Sequence, residues 1–296
     1  MVARGLKSGA MQSVQQFEDR AEVNPAAESG GAIQPGAYLL ELSLDWLVLR
    51  ASENIHQLIG ESHVTLIDEP LGRFVHSQAL HDLRNLFSRL SATTGIGRAY
   101  GIRLTDDPDL VDVAFQLSHG RVLLELVPSA GTFGEHLGSV AGLIAGLSAN
   151  RGRDLLDAGS RRMRALTGYD RVTLAIGGER AESSRGAFSG PAAFDLELPQ
   201  MVADAQRGGG IGLFPRRAQE SSVGDALLRA GGDEELAQLG REGVRAVLRV
   251  PVRFGDVTGE FRCDSRSPRQ PGLELHAAAE LFAQMFAMRL ELDAAS

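Results

Sequence analysis

From Val244 onward the chain alternates with a period of two. Val244, Ala246, Leu248, Val250, Val252 and Phe254 are apolar, and Arg245, Val247, Arg249, Pro251 and Arg253 stand between them. Side chains of a strand point to opposite faces in turn, so this spacing predicts a strand with one buried face. Gly255-Asp256 reads as a two-residue hairpin loop with glycine at its first central position. Val257, Gly259, Phe261 and Cys263 then alternate with Thr258, Glu260 and Arg262. With that turn, Phe254 pairs with Val257 and Arg249 with Arg262. The hairpin has one apolar face and one charged face, and Asp264 extends the charged one. A short helix from about Asp233 to Glu242, stopped by Gly243, leads into it.

The same patterning orders the rest of the chain. Residues 1–30 are polar and read as a tail, with a short helical piece near Gln12–Asp19. Tyr38–Leu42 and Trp46–Arg50 read as strands, and Ser52-Glu53-Asn54 as the cap of a short helix holding Ile55, Leu58 and Ile59. Leu71–Phe74 and Ser77–Leu90 read as helices, and Gly97–Leu104, Val111–Ser118 and Val122–Val127 as strands, with His119-Gly120 as a turn. Residues 135–166 are helix-rich, broken near Asn150 and Gly152, and Gly168 is the C-cap. Val172, Leu174 and Ile176 mark a strand. Gly177–Gly190 reads as loop, Pro199–Arg207 as a short helix, and Gly208 to about Ser222 as loop again. A last helix, about Leu273–Leu292, has a wide apolar stripe of Leu275, Ala278, Leu281, Phe282, Met285, Phe286 and Met288. The fold class is α+β. Two strands, short helices and three strands are the order of a PAS domain, and helix, sheet and helix the plan of a GAF domain. Each is an antiparallel sheet with flanking helices.

Composition narrows the functional classes. The 296 residues suffice for about two domains. A net charge of -8 disfavours nucleic acid and anionic membrane surfaces as partners. No apolar run is long enough to span a membrane, no secretory leader is visible, and the cytoplasm is the expected location. The single cysteine, Cys263, rules out an intrachain disulfide and a cysteine-rich metal cage, and its place on the apolar face predicts an inert core thiol. The seven histidines are scattered, and His76 and His81 are off one helical face, so no metal site is expected. Gly208–Gly212 lacks the flanking strand and lysine of a phosphate loop, and no catalytic triad order or nucleophile elbow is present. An enzyme is not expected.

Particular residues carry a resemblance. Ile33-Gln34-Pro35-Gly36, Leu39-Leu40 and Ala51-Ser52-Glu53-Asn54 resemble the I-Q-P-H-G and A-S-E-N runs of bacterial phytochrome PAS domains. Thr167-Gly168-Tyr169-Asp170-Arg171-Val172 is similar to the opening strand of the phytochrome GAF domain. Leu228-Arg229, Leu239 and Gly243-Val244, then Cys263 and Ser267-Pro268-Arg269, follow later phytochrome motifs in order. The resemblance implies a tail at 1–30, a PAS domain at 31–130, a connecting helix at 131–150 and a GAF domain at 151–296 ending in a dimerisation-type helix. It further implies a homodimer through GAF helices and output through an unidentified protein partner. No kinase, cyclase or phytochrome-specific third domain follows, so a signal is expected to leave through a binding surface.

The departures bear on the pigment. Bacterial phytochromes attach biliverdin through a cysteine ahead of the I-Q-P run, and this chain has none there. The cysteine of the plant-like attachment site is absent as well. The family's D-I-P is Glu197-Leu198-Pro199 here, the pyrrole-water histidine is Glu235, a tyrosine is Gln238, and two histidines are Asp264 and Ser265. Arg229 remains, where the family meets a propionate. The loop from Pro199 to Leu228, which in the family forms a lasso around the N-terminal segment, is shorter, which puts the knot in question. The hairpin's charged face lines the family's pocket, so the candidate pocket residues are Glu197, Arg229, Glu235, Val247, Arg249, Glu260, Arg262 and Asp264. Buried charges of this kind must pair or stay wet. The cleft is therefore wet, collapsed around ion pairs, or rebuilt for a polar ligand. For Arg249, Glu260 and Arg262 a solvated sheet face with cross-strand pairs is a simpler reading than a ligand site. Glu197 and Glu235 fit an acid–base pair, with surface positions the simpler reading. No covalent cofactor is expected. The resulting reading is a sensory or regulatory protein without covalent bilin, acting by protein contact and by binding a polar small molecule. The alternative is a protein that holds biliverdin non-covalently through Arg229.

Overall fold

The structure, a computed structural model, describes residues 31–90, 95–131, 134–216, 222–255 and 257–295. The expected helical piece near Gln12–Asp19 and the loop residue Asp256 lie outside these.

The first half supplies β1 (Ala32–Ile33), β2 (Tyr38–Leu42), β3 (Val48–Ser52), the short helices α1 (His56–Ile59) and α2 (His63–Leu66), and a single 3-10 turn at Leu71–Arg73. Helix α3 (Ser77–Leu90) and strands β4 (Gly97–Ile102), β5 (Val111–Ser118) and β6 (Arg121–Pro128) follow. Ser52 does not cap a helix. It ends β3, and its hydroxyl accepts the amide of Leu39 at 3.1 Å, while Asn54 donates to the Ala37 carbonyl. Helix α1 starts at His56, and its N-cap residue, Ile55, makes no side-chain cap. The polar run serves the neighbouring strand, where a tertiary partner outcompetes the local cap. His119 and Gly120 turn β5 into β6 with positive φ at both residues, 48° and 74°.

The second half supplies α4 (Glu135–Ala145), α5 (Gly152–Thr167), β7 (Arg171–Ile176) and β8 (Glu179–Ser184). Next come β9 (Met201–Val202), β10 (Ile211–Phe214), α6 (Asp233–Arg241), β11 (Ala246–Phe254), β12 (Val257–Ser265) and α7 (Leu273–Ala294). Gly168 closes α5 in the left-handed region, its amide returning to the Arg164 carbonyl. The hairpin register is the one the alternation requires, with Phe254 opposite Val257 and Arg249 opposite Arg262.

Three further segments differ from the sequence reading. Gly177–Gly190 is not all loop, because Gly177 and Gly178 turn β7 back into β8. Pro199–Arg207 is not a helix. Met201 and Val202 pair with Leu248 and Val247 at the edge of β11, and strand pairing overrides the helical propensity around them. Residues 211–214 are also a strand, and its partners, β1 and β3, are far away in sequence.

Two sheets result. One has the order β1-β10-β3-β2-β6-β5-β4 and the other β8-β7-β12-β11-β9. The first sheet buries Trp46, Leu66, Leu83 and Phe115 against α3 and its neighbours on one face. Leu39, Ala114, Leu123 and Val127 on its other face join Leu227, Leu228, Leu155, Phe282 and Phe286 in a single core that spans both halves. Strand β1 lies between two arms of one long loop. Ala32 and Ile33 pair with Gly212 and Ile211 on one side, and the Ala32 carbonyl takes the Ala230 amide at 2.8 Å on the other. Gln34 adds side-chain bonds to Met201, Ala203 and Arg229. The segment from Pro199 to Ala230 therefore brackets residues 32–34.

Candidate functional site

The charged face of the β11–β12 hairpin joins β7 and the end of α6. Parity places Arg171 opposite Asp264, with Arg262 two residues before it on the same face. Arg171 meets Asp264 through Nε at 2.8 Å and Nη2 at 2.6 Å. Arg262 meets the other Asp264 oxygen through Nε at 2.8 Å and Glu242 through Nη2 at 2.6 Å. Arg171 approaches Glu242 at 3.9 Å, which closes a ring of two cations and two anions. All four side chains are at most 4 % exposed. The charges cancel, which makes their shared burial tolerable, whereas a single unpaired member would be strongly destabilising.

An irregular strap, residues 188–198, lies over this ring. Its backbone carbonyls accept from the Nη1 groups of three arginines, while Nη2 of Arg171 has only its ion pairs. Arg171 donates to the Gly190 carbonyl at 2.6 Å, Arg262 to that of Ala193, and Arg249 to those of Leu198 at 2.9 Å and Leu196 at 3.4 Å. Phe188 lies under the Arg171 guanidinium, 4.1 Å from its ring centroid. Beside the ring, Leu198, Val202, Leu239, Val244 and Val247 form a small apolar core, with Phe188, Leu196 and Leu236 packed on it. The strap is thus fixed by polar bonds along its length and by apolar contacts at both ends, and the space between sheet and α6 is filled by the chain itself.

Comparison with known proteins agrees with this architecture. The family described as PAS fold matches residues 24–129, and the GAF domain family matches residues 152–293. The chromophore-binding domain of Stigmatella aurantiaca phytochrome P1 superposes with a TM-score of 0.70 at 21% identity, covering 90% of this chain and 96% of that one. The chromophore-binding domain of a bacteriophytochrome from R. palustris does so with a TM-score of 0.69 at 20% identity, covering 93% and 99%. The chain is a PAS domain followed by a GAF domain, in the fold of phytochrome chromophore-binding domains. No curated protein matches it closely enough to show kinship.

Within the module the eight expected pocket residues divide. Arg262 and Asp264 belong to the buried ring, so the reading of a solvated face fails for Arg262. Arg249 and Glu260 form a two-pronged pair, Nε–Oε1 and Nη2–Oε2 both at 2.8 Å, each 21% exposed. Val247 is fully buried in the small core under α6. Arg229 donates to the Glu197 carbonyl at 2.7 Å and feels the charges of Glu197, Glu235 and Arg249. Burial, the largest influence, lowers its pKa. Glu235, in the first turn of α6, folds back over Gly232, where a carboxylate complements the helix N-terminus. Glu197 is exposed.

Arg171 and Glu242 complete the ring, and the sequence reading assigned neither to the site. Strand parity was a usable signal for Arg171, because Val172 and Leu174 face the core and leave residues 171 and 173 on the charged face. Glu242 gives no such signal at the end of a helix. Cys263 is fully buried on the opposite face, and desolvation pushes its thiol well above the usual range. Among the described residues, no group of three or more His, Cys, Asp or Glu side chains is placed to hold a metal ion. Nor is any helix among them long and apolar enough to cross a membrane.

Proposed function

We propose that this phytochrome-like module is a sensory or regulatory protein that works without bilin, through contact with other protein surfaces. The observation that carries the reading is the strap over the neutral ring. A bilin needs an apolar slot for its plane, cations for two propionates and a hydrogen-bonding centre for its pyrroles. On the corresponding face, Arg171, Arg249 and Arg262 are already bonded to Asp264, Glu242, Glu260 and strap carbonyls, and Leu196, Leu198 and Leu236 occupy the apolar space. The residues present do not fit the pigment. Inserting one would require displacing the strap and breaking the bonds that neutralise a buried ring.

The contact surface we assign is on α7. Leu281, Met285, Met288 and Leu292 recur at four, three and four residues, the spacing of a helix–helix seam. Leu281 is 39% exposed, Met288 64% and Leu292 65%, while Phe282 and Phe286 on the inner face are fully buried. A second copy of the chain is the occupant this reading favours.

Two measurements test it. Mixing the purified protein with biliverdin should leave the free-pigment spectrum unchanged, and a sharp, photoconvertible far-red band would overturn the reading. Sedimentation equilibrium should show a dimer that Met288→Glu with Leu292→Glu converts to monomer, and an unchanged mass would remove the seam.

A further inference from the structure

Outside the sealed face, a cleft of about 780 Å³ opens between the strap and the C-terminal half of α6. Its volume is that of a small-molecule site. One wall is Pro191, Ala192, Ala193 and Phe194, and Arg180, Asp195, Gln238 and Arg241 bring polar groups to it. The Arg180 guanidinium lies over the Phe194 ring at 5.3 Å, so one of its faces is stacked and the other is turned away from that ring. Arg241 is held by Gln238, whose Oε1 accepts Nε at 2.9 Å and Nη2 at 2.6 Å. That grip orients the guanidinium, and its Nη1 edge meets no acceptor among the described residues. Glu242 at the cleft's base is already paired with Arg262 and contributes no free charge. Arg180, Arg241 and Asp195 therefore leave a balance of one positive charge.

We propose that this cleft binds a small aromatic monocarboxylate. The apolar wall and the Phe194–Arg180 stack accept a flat ring, the surplus positive charge selects a monoanion, and pre-oriented guanidinium edges match a carboxylate's geometry. Asp195 disfavours a second negative charge on the ligand. The site rests on the reading of the chain as pigment-free, because the strap that forms its wall is the segment a bilin would displace.

Calorimetric titration of the whole chain with 1-naphthoate tests the site, with 1-naphthylmethylamine as the cation of matched shape. The wild type should bind the carboxylate and not the amine. Arg180→Gln and Arg241→Gln should each weaken binding about tenfold, the loss of one charge-assisted contact. Arg161→Gln, an exposed change on α5, should leave it unaltered. All three positions are exposed, and matching melting curves will report that the variants are folded. No heat with 1-naphthoate at about 10 mM, or equal affinity for the wild type and the doubly substituted protein, overturns the site. If 1-naphthoate fails and biliverdin is also not taken up, the site falls and the pigment-free reading stands. A far-red biliverdin band that 1-naphthoate suppresses by competition would remove both.

Discussion

Glu125 of β6 accepts the backbone amide of Leu227 at 2.8 Å, across 102 positions of sequence. Its other oxygen takes the amide of Leu228 at 2.9 Å. A PAS-sheet carboxylate thereby holds the loop that carries Arg229, inside the core the two halves share. It is 3% exposed. Desolvation raises its pKa from 4.5 to about 7, against the two amides and the charge of Arg98, which lower it.

The sign of the pH dependence follows. The folded chain keeps a proton on Glu125 that the unfolded chain releases above 4.5. The associated stability is fully present below that value and is lost as pH rises through about 7, on the order of 3 kcal/mol in all. Glu125→Gln carries no charge and keeps an acceptor for one amide. Urea unfolding at intervals from about pH 5 to about pH 8 should show the variant gaining stability relative to the wild type as pH rises. Parallel curves would refute the assignment.

The ring of Arg171, Arg262, Asp264 and Glu242 predicts strong non-additivity. Asp264→Asn leaves two buried guanidiniums sharing one carboxylate and should cost about 3–5 kcal/mol. Replacing Arg262 with Met and Asp264 with Leu together removes one charge of each sign, and Arg171 still approaches Glu242 at 3.9 Å. The double change should cost clearly less than the sum of the two single ones in a urea double-mutant cycle. Simple additivity would mean that the four charges do not act as a unit.

What the sequence disclosed and what it concealed have a common cause. The β11–β12 register, the His119-Gly120 turn and the Gly168 cap were legible because each depends on neighbours within a few residues. Strands β8, β9 and β10 were not. Met201 and Val202 are strand only because Leu248 and Val247 lie beside them, and Ile211–Phe214 only because β1 and β3 flank it. The charged face at Arg262 and Asp264 was legible from parity, but its burial was not. The strap that buries it has no period and acts through the carbonyls of Gly190, Ala193, Leu196 and Leu198, which no side-chain pattern announces.

A second contact between the halves concerns protonation. Arg98 of β4 donates through Nη2 to Nδ1 of His276 on α7 at 2.6 Å and to Glu280 at 2.7 Å. The other ring nitrogen of His276 therefore carries the proton and donates to Gln200 Oε1 at 2.9 Å. Burial first, and the Arg98 charge second, lower the His276 pKa from 6.5 to about 3. The neutral ring contributes stability that is present above the unfolded value and is lost as pH falls through the folded one. By NMR, His276 should not titrate between about pH 5 and about pH 8. Arg98→Ala should raise its pKa, because one of the two lowering influences is gone. A His276 signal titrating near its ordinary value in the wild type would refute the arrangement.

Packing beneath α7 gives the last prediction. Gly159 lies in α5, and a Cβ there would sit 2.5 Å from Cε2 of Phe286. The ring has little room to yield. It stacks on Phe282 at 6.2 Å with planes 8° apart and meets Phe261 at 5.4 Å, and all three are fully buried. Glycine-to-alanine within a helix ordinarily gains up to about 1 kcal/mol from propensity. At Gly159 the overlap should reverse that sign, with a net loss of about 1–3 kcal/mol from overpacking. Gly142 of α4 is the matched control, since a Cβ there meets nothing within 4 Å. Gly142→Ala should raise the melting temperature and Gly159→Ala lower it. A rise in both would mean that the Phe286 cluster can repack, and that the close approach of α5 to α7 does not depend on the missing side chain.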